Sequence, residues 1–151
     1  MDAAGALRAS PLFQTFTDTG ISILATICQP KQFPPGAILF AENMVSDSMF
    51  IIGDGRVALA SKNAGGQDLA LGELTNGDWL GELSLISTGQ RMCTATAVVM
   101  VTAFEIRQAD FQRLTASKPQ ACMKLLMTIC TNVGAKVGAN KEALKAILAR
   151  V

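Results

Sequence analysis

The residues with the clearest chemical potential lie between Leu80 and Thr96, where a glycine, a carboxylate and an arginine occur close together. Gly81 precedes a short helix-compatible stretch, and the first turn of a helix presents unpaired N–H groups with a partial positive charge. Because glycine has no side chain, an anionic group can approach these donors closely. Arg91 follows in the same segment and supplies charge-assisted hydrogen bonds to the same anion. The segment therefore indicates a phosphate-binding site.

The residue types that are missing exclude several other chemistries. The chain has no His, which removes Ser-His-Asp and Cys-His catalysis together with His-based metal sites. No carboxylate pair or lysine stands in a catalytic motif, so we expect no enzyme activity. The four cysteines, none in a C-x-x-C pair, are Cys28, Cys93, Cys122 and Cys130. We interpret them as reduced, mostly buried thiols of a cytoplasmic protein.

The elements that position the segment follow a helix, strand, helix order. Ser10 and Pro11 are typical of a helix start, and Thr17 or Thr19 is expected to cap a second helix that ends at Pro30. Short apolar runs separated by turn residues then predict an antiparallel β structure. The runs are Ala37–Ala41, Met49–Ile52, Arg56–Ser61, Asp68–Leu71 and Thr94–Ile106. The predicted fold class is α+β, mainly β: a β-roll, or jelly-roll-like antiparallel barrel, flanked by N-terminal and C-terminal helices.

The last third of the chain returns to helical periodicity. A short helix is expected from Ala109 to Ser117, followed by an amphipathic helix whose apolar face runs from Cys122 to Val137. Gly134 and Gly138 weaken this helix and are expected to act as hinges. Asn140 is expected to cap a final helix with one apolar side, formed by Leu144, Ile147, Leu148 and Val151.

Charge is distributed unevenly along the chain. Residues 1–106 carry five Lys or Arg and ten Asp or Glu, whereas residues 107–151 carry eight and two. We interpret the basic third as a solvated helical surface, with contact to nucleic acid as the alternative. No apolar stretch approaches the length of a membrane-spanning helix, so no membrane span is expected.

The motifs of this sequence resemble those of the cyclic nucleotide-binding domain family over residues 10–130. The stretch G-E-L-S-L-I that begins at Gly81, followed after four residues by R-x-x-T at Arg91, is similar to the phosphate-binding cassette of that family. Three upstream motifs also resemble signatures of that family and occur in the same order. They are F-P-P-G from Phe33, D-S-M-F-I-I from Asp47 and L-G-E-L-T-N-G-D-W-L-G-E from Leu71, which leads into the cassette. Asn43 stands where relatives carry glycine, but asparagine tolerates left-handed backbone angles.

The resemblance implies a role for each residue of the predicted ligand site. Gly81 and the N–H groups of Glu82 and Leu83 are expected to hold the phosphate, while Glu82 accepts a hydrogen bond from the ribose 2′-hydroxyl. Arg91 is expected to pair with the charge of the cyclic phosphate. The remaining site residues are Ser84, which is small and able to donate, and Met92 and Thr94, which lie near the base. Because Met92 lacks the hydroxyl that guanine-preferring relatives use, cAMP is favoured over cGMP.

The predicted organisation is an N-terminal tail at 1–9, a cyclic nucleotide-binding domain at 10–133 and a C-terminal helical appendage at 134–151. No separate output domain and no DNA-binding domain are expected in this chain. The expected function is that of a sensor, in which a cyclic nucleotide binds as ligand, without a cofactor, and moves the C-terminal helices. The movement would control an unidentified protein partner, with a homodimer as one option. The alternative is a ligand-free scaffold of the same fold, in which Glu82 and Arg91 form a structural ion pair.

Overall fold

The computed structural model describes residues 1–149 and shows an antiparallel β structure with helices before and after it. The helices are α1 (Ala3–Ala9), α2 (Asp18–Ala25), α3 (Gln108–Ser117), α4 (Pro119–Ala139) and α5 (Lys141–Leu148). The strands are β1 (Cys28–Phe33), β2 (Ile38–Phe40), β3 (Val45–Ser46), β4 (Ser48–Asp54), β5 (Val57–Lys62), β6 (Asp68–Leu74), β7 (Trp79–Leu80), β8 (Gly89–Gln90), β9 (Thr94–Ala97) and β10 (Val101–Arg107). Two 3-10 helices cover Pro11–Phe13 and Glu82–Leu85.

The strands form two four-stranded antiparallel sheets, in the orders β1-β10-β4-β7 and β2-β9-β5-β6, and a small β3-β8 pair. The predicted fold class is thus confirmed, with two facing sheets in place of a closed barrel. An intersheet core fills the space between them and contains Phe40, Phe50, Ile52, Val57, Leu80, Ala95, Ala97, Val101 and Ala103. Since both sheets contribute to this core, it fixes one sheet against the other.

The helices cover the outer face of the first sheet. Strand β4 is buried from Ser48 to Gly53 because its alternate residues face the intersheet core and the helices. Leu125 and Ile129 of α4 pack in this helix-facing core, as the apolar periodicity predicts. The periodicity therefore identifies correctly the face of α4 that packs on the protein. In residues 1–149 no helix combines the length and the apolar character that a membrane crossing needs.

Three expectations about secondary structure need correction. The helix before the sheets ends at Ala25, and Pro30 lies within β1, which tolerates proline because it is an edge strand. The run Thr94–Ile106 is two strands, β9 and β10, which belong to different sheets because the chain crosses between the sheets at residues 98–100. Residues 1–9 are not a simple tail. The carboxylate of Asp2 caps α1, and Leu7 of α1 is buried in the helix-facing core.

Other local predictions are confirmed. Thr17 is the N-cap of α2 and its hydroxyl accepts from the N–H of Gly20. Asn43 has the left-handed backbone, with φ 69°. The cysteines, expected to be mostly buried, are so only in part: Cys28 and Cys122 are buried, Cys93 is intermediate and Cys130 is exposed.

The C-terminal helices differ in how they pack. Helix α4 continues without a break through Gly134 and Gly138, so the structure shows no bend at either expected hinge. Helix α5 has no buried residue, and Asn140 precedes it without making a side-chain cap. The apolar side chains of Leu144, Ile147 and Leu148 are exposed. Val151, expected on the same side, lies outside the described residues.

Replacing Gly134 by alanine should stabilise the protein. A Cβ at this position meets no atom within 4 Å, and alanine is about 1 kcal/mol more favourable than glycine inside a helix. We expect the midpoint of thermal unfolding, Tm, to rise by about 2–4 °C. The reverse change at the neighbouring exposed position, Ala135→Gly, serves as control and should lower Tm by a similar amount. An unchanged or lower Tm for Gly134→Ala would show that the helix is not continuous at this residue in solution.

Candidate functional site

A cavity of about 400 Å³ lies beside the 3-10 helix Glu82–Leu85. Its volume falls in the range of small-molecule sites, about 300–1,000 Å³. The apolar part of its wall comes from both sheets and includes Phe40, Leu59, Leu74 and Trp79. Six of the predicted site residues also line it, namely Gly81, Glu82, Leu83, Ser84, Arg91 and Met92. The structure therefore brings most of the predicted segment to one cavity.

Thr94 is the exception, because the structure places it outside this cavity. It does not line the cavity, and its hydroxyl accepts a hydrogen bond of 3.0 Å from the backbone N–H of Glu42. The strand geometry explains this, because successive residues of β9 point to opposite faces of the sheet. Thr94 thus ties β9 to the chain that follows β2.

Gly81 occupies a position that no other residue fits. Its backbone is left-handed, with φ 77°, and a Cβ there would lie 2.5 Å from Nη1 of Arg91 and 2.8 Å from the carbonyl oxygen of Ser48. The next two N–H groups, of Glu82 and Leu83, begin the 3-10 helix and have no partner within it. The absent side chain leaves room for the guanidinium beside these donors.

Arg91 is held from two directions. Its backbone N–H donates to the carbonyl of Met44 at 2.7 Å, and its carbonyl accepts from Asn43 at 2.8 Å. In the side chain, Nη1 donates to the carbonyl of Ser48 at 2.7 Å and to Oγ of Ser84 at 3.3 Å, while Nη2 donates to Oγ of Ser48 at 3.1 Å. The guanidinium carbon lies 4.2 Å from the ring centre of Phe40. These contacts fix the orientation of the guanidinium group.

One edge of this guanidinium remains free. Of its five N–H donors, both on Nη1 and one on Nη2 are used, and Nε is buried without a partner. Nε and Nη2 share an edge of the planar group, so the unused donors are suited to a bidentate contact with a phosphate. Arg91 is only 5% exposed, and no carboxylate within residues 1–149 forms an ion pair with it.

Burial also affects the electrostatics of this residue. Desolvation lowers the pKa of Arg91 from its ordinary value, and the carboxylates of Asp47 and Glu105 partly oppose this change. The guanidinium stays charged in any physiological buffer. A buried cation without a directly bonded anion is unfavourable, so binding of an anion at its free edge would be strongly stabilised.

Ser84 supports Arg91 through its hydroxyl group. Its side chain is buried, its hydroxyl accepts from Arg91, and it also forms a hydrogen bond with the hydroxyl of Ser46. Ser84 is therefore small, as expected, and its hydroxyl also helps to position the guanidinium of Arg91.

Glu82 and Arg91 do not form the structural ion pair considered as an alternative. The carboxylate of Glu82 instead accepts from Nζ of Lys136 in α4, at 3.4 Å, through its Oε1 atom. Lys136 also lines the cavity. The sequence motifs do not single out Lys136, which is one of several lysines in the basic third.

The contributions of Phe40, Trp79, Ser46 and Ser48 were also not predicted. The two serines lie in or beside short strands, and only the tertiary structure places them against Arg91 and Ser84. Phe40 is one of seven phenylalanines and has no local sequence signal that distinguishes it from an ordinary core residue. Local pattern therefore identifies the segment that carries the site, whereas its supporting residues come from distant parts of the chain.

The fold and the cavity together define a β-roll domain with a cavity of small-molecule size beside a buried arginine. The family model for the cyclic nucleotide-binding domain matches residues 30–118. This chain therefore belongs to the cyclic nucleotide-binding domain family, as the sequence motifs predict.

Similar proteins include regulators and a channel. A cyclic nucleotide-gated potassium channel of Rhizobium etli is 32% identical over 114 residues, which are 76% of this chain and 30% of the channel. A CRP-like cAMP-activated global transcriptional regulator of Mycobacterium tuberculosis is 28% identical over 123 residues, 82% of this chain and 55% of the regulator. This chain thus spans between 30% and 55% of the length of these two proteins.

Solved structures show the same fold. The Thermus thermophilus catabolite activator protein has a TM-score of 0.81 at 22% identity, covering 91% of this chain and 63% of that protein. The regulatory domain of Toxoplasma gondii protein kinase A, co-crystallised with cAMP, has a TM-score of 0.71 at 18% identity, covering 86% of this chain and 49% of that one. At these identities the likeness concerns the fold alone.

Proposed function

We propose that this chain binds a cyclic mononucleotide in the cavity beside Gly81 and Arg91, and prefers cAMP to cGMP. The observation that carries the proposal is the free edge of the buried Arg91 guanidinium, which faces no protein anion among the described residues. A cyclic phosphodiester supplies one negative charge and two exocyclic oxygens, which match the two unused donors. The N–H groups of Glu82 and Leu83 then complete the phosphate site, and the apolar wall accommodates the base.

The preference for adenine rests on the residue that follows Arg91. Met92 lies at the exposed rim of the cavity and offers a base no hydroxyl group. Thr94, the other candidate, does not line the cavity, and its hydroxyl accepts from the backbone N–H of Glu42. Neither side chain therefore provides the hydrogen bond that would favour guanine. A similar protein, the CRP-like regulator of Mycobacterium tuberculosis, is described as cAMP-activated, which is consistent with this preference.

We further propose that binding shifts the C-terminal helices and so changes contact with a protein partner, which includes a second copy of this chain. Helix α4 contributes Lys136 to the cavity wall, which links the ligand site to this helix. A ligand shifts such an equilibrium only through different affinities for the two arrangements. The role is regulatory and needs no catalytic residue or cofactor. Four free thiols suit a reducing compartment, so we place the function in the cytoplasm.

Calorimetric titration with cAMP and cGMP tests this function. A cyclic mononucleotide has about 22 non-hydrogen atoms, which at roughly 0.3 kcal/mol each corresponds to a Kd near 10 μM. We expect cAMP to bind in this range and cGMP to bind more weakly. The same titration with adenosine, which lacks the phosphate, should give much weaker binding. Absence of heat at millimolar cAMP with a folded protein would refute ligand binding and favour the scaffold alternative.

A further inference from the structure

Lys136 reaches the ligand cavity from helix α4. Its Nζ lies 3.4 Å from Oε1 of Glu82 and 5.9 Å from the ring centre of Trp79. The two partners differ in exposure, since the side chain of Lys136 is 64% exposed and that of Glu82 only 13%. Lys136 is therefore a mostly solvated cation that holds a mostly buried carboxylate.

The charges around the cavity explain why such a cation matters. Among the described residues that line it, the charged ones are Glu82, Arg91 and Lys136. Without Lys136 the buried carboxylate would cancel the charge of Arg91 and repel an incoming phosphate. With Lys136 the three side chains carry a net charge of one positive unit, which complements the single negative charge of a cyclic phosphodiester.

The contact also leaves Glu82 able to bind a sugar hydroxyl. Lys136 engages Oε1, and Oε2 has no hydrogen-bond partner among residues 1–149. A ribose hydroxyl can therefore donate to Oε2 while the ammonium group remains on Oε1. The ion pair and the ligand contact are compatible and do not compete.

We propose that Lys136 is a positioning residue of the ligand site, which neutralises Glu82 so that an anionic ligand is accepted next to this carboxylate. This inference rests on the proposed function. It adds a specific role for α4, because the cation that adjusts the charge of the cavity is supplied by that helix.

A double-mutant cycle tests the proposal, with the Kd for cAMP measured by calorimetric titration. Because exposed ion pairs contribute up to about 1 kcal/mol, Lys136→Met should weaken binding by about 3- to 5-fold at low salt, with a smaller loss at high salt. Lys136→Arg, which keeps the positive charge, should have the same Kd as the wild type. In the Glu82→Gln background, where no carboxylate charge remains, Lys136→Met should change Kd by less than about 2-fold. Lys141→Met, on α5 and outside the cavity, is the matched control and should bind like the wild type.

The outcomes separate this proposal from the function on which it rests. If the wild type binds cAMP and Lys136→Met has the same Kd, the role of Lys136 is wrong and the proposed function stands. Equal losses from Lys136→Met in the wild type and in the Glu82→Gln background would also overturn it, because Lys136 would then act independently of the carboxylate. If the folded wild type binds no cyclic nucleotide at millimolar concentration, both proposals fall.

Discussion

Replacing Arg91 by alanine should raise the Kd for cAMP by about 10- to 150-fold or more. The variant removes the charged group that lines the cavity and has unpartnered donors, and loss of a charge-assisted hydrogen bond costs about 1.5–3 kcal/mol. The loss is larger where the phosphate stays buried without a partner. Arg91→Lys retains the charge but not the two-donor edge, so its Kd should lie between those of the wild type and Arg91→Ala. Calorimetry at constant ionic strength provides the comparison.

The matched control is Arg56→Ala. Arg56 also lies in the β region, but it is half exposed and pairs with Glu73 away from the cavity, 3.1 Å apart. Its replacement should leave the Kd for cAMP unchanged. Circular dichroism of each variant establishes that it is folded. Binding by folded Arg91→Ala within 2-fold of the wild type would contradict the assignment of this residue to the phosphate.

Replacing Gly81 by alanine should impair both folding stability and ligand binding. The new Cβ meets Nη1 of Arg91 at 2.5 Å and the carbonyl oxygen of Ser48 at 2.8 Å, so the hydrogen bond between these two groups has to break or shift. The left-handed backbone adds about 1–2 kcal/mol, and crowding in a packed site adds about 1–3 kcal/mol. Displacement of the guanidinium should also raise the Kd for cAMP by at least about 10-fold.

Gly66→Ala isolates the backbone contribution. Gly66 has φ 78°, close to the 77° of Gly81, but a Cβ at Gly66 has no neighbour within 4 Å. The control should therefore lose only about 1–2 kcal/mol of unfolding free energy and bind cAMP normally. Urea unfolding and calorimetry measure both quantities on the same preparations. If Gly81→Ala matches Gly66→Ala in both, the close approach of Gly81 to Arg91 does not exist in solution.

The predicted site shows which residues a local pattern can identify. Gly81, Glu82 and Arg91 belong to one segment, and its resemblance to the phosphate-binding cassette of the family predicts an anion site before any fold is known. The same pattern also included Thr94, which faces away, because a motif specifies a sequence position but not the face of a strand. Lys136 carries no such signal. It enters the site only because α4 packs with its apolar face inward and thereby places this residue at the cavity.

The sequence by itself determined the overall helix, strand, helix layout, the apolar face of α4 and the segment from Gly81 to Met92 that lines the cavity. These features depend on periodicity, turn residues and short-range spacing, which are properties of neighbouring residues. Only the tertiary structure decided that Thr94–Ile106 divides between two sheets, that Glu82 pairs with Lys136, and that Arg91 keeps one edge free. Those outcomes depend on contacts between residues far apart in the chain, since burial and pairing are set by how complete elements pack against each other.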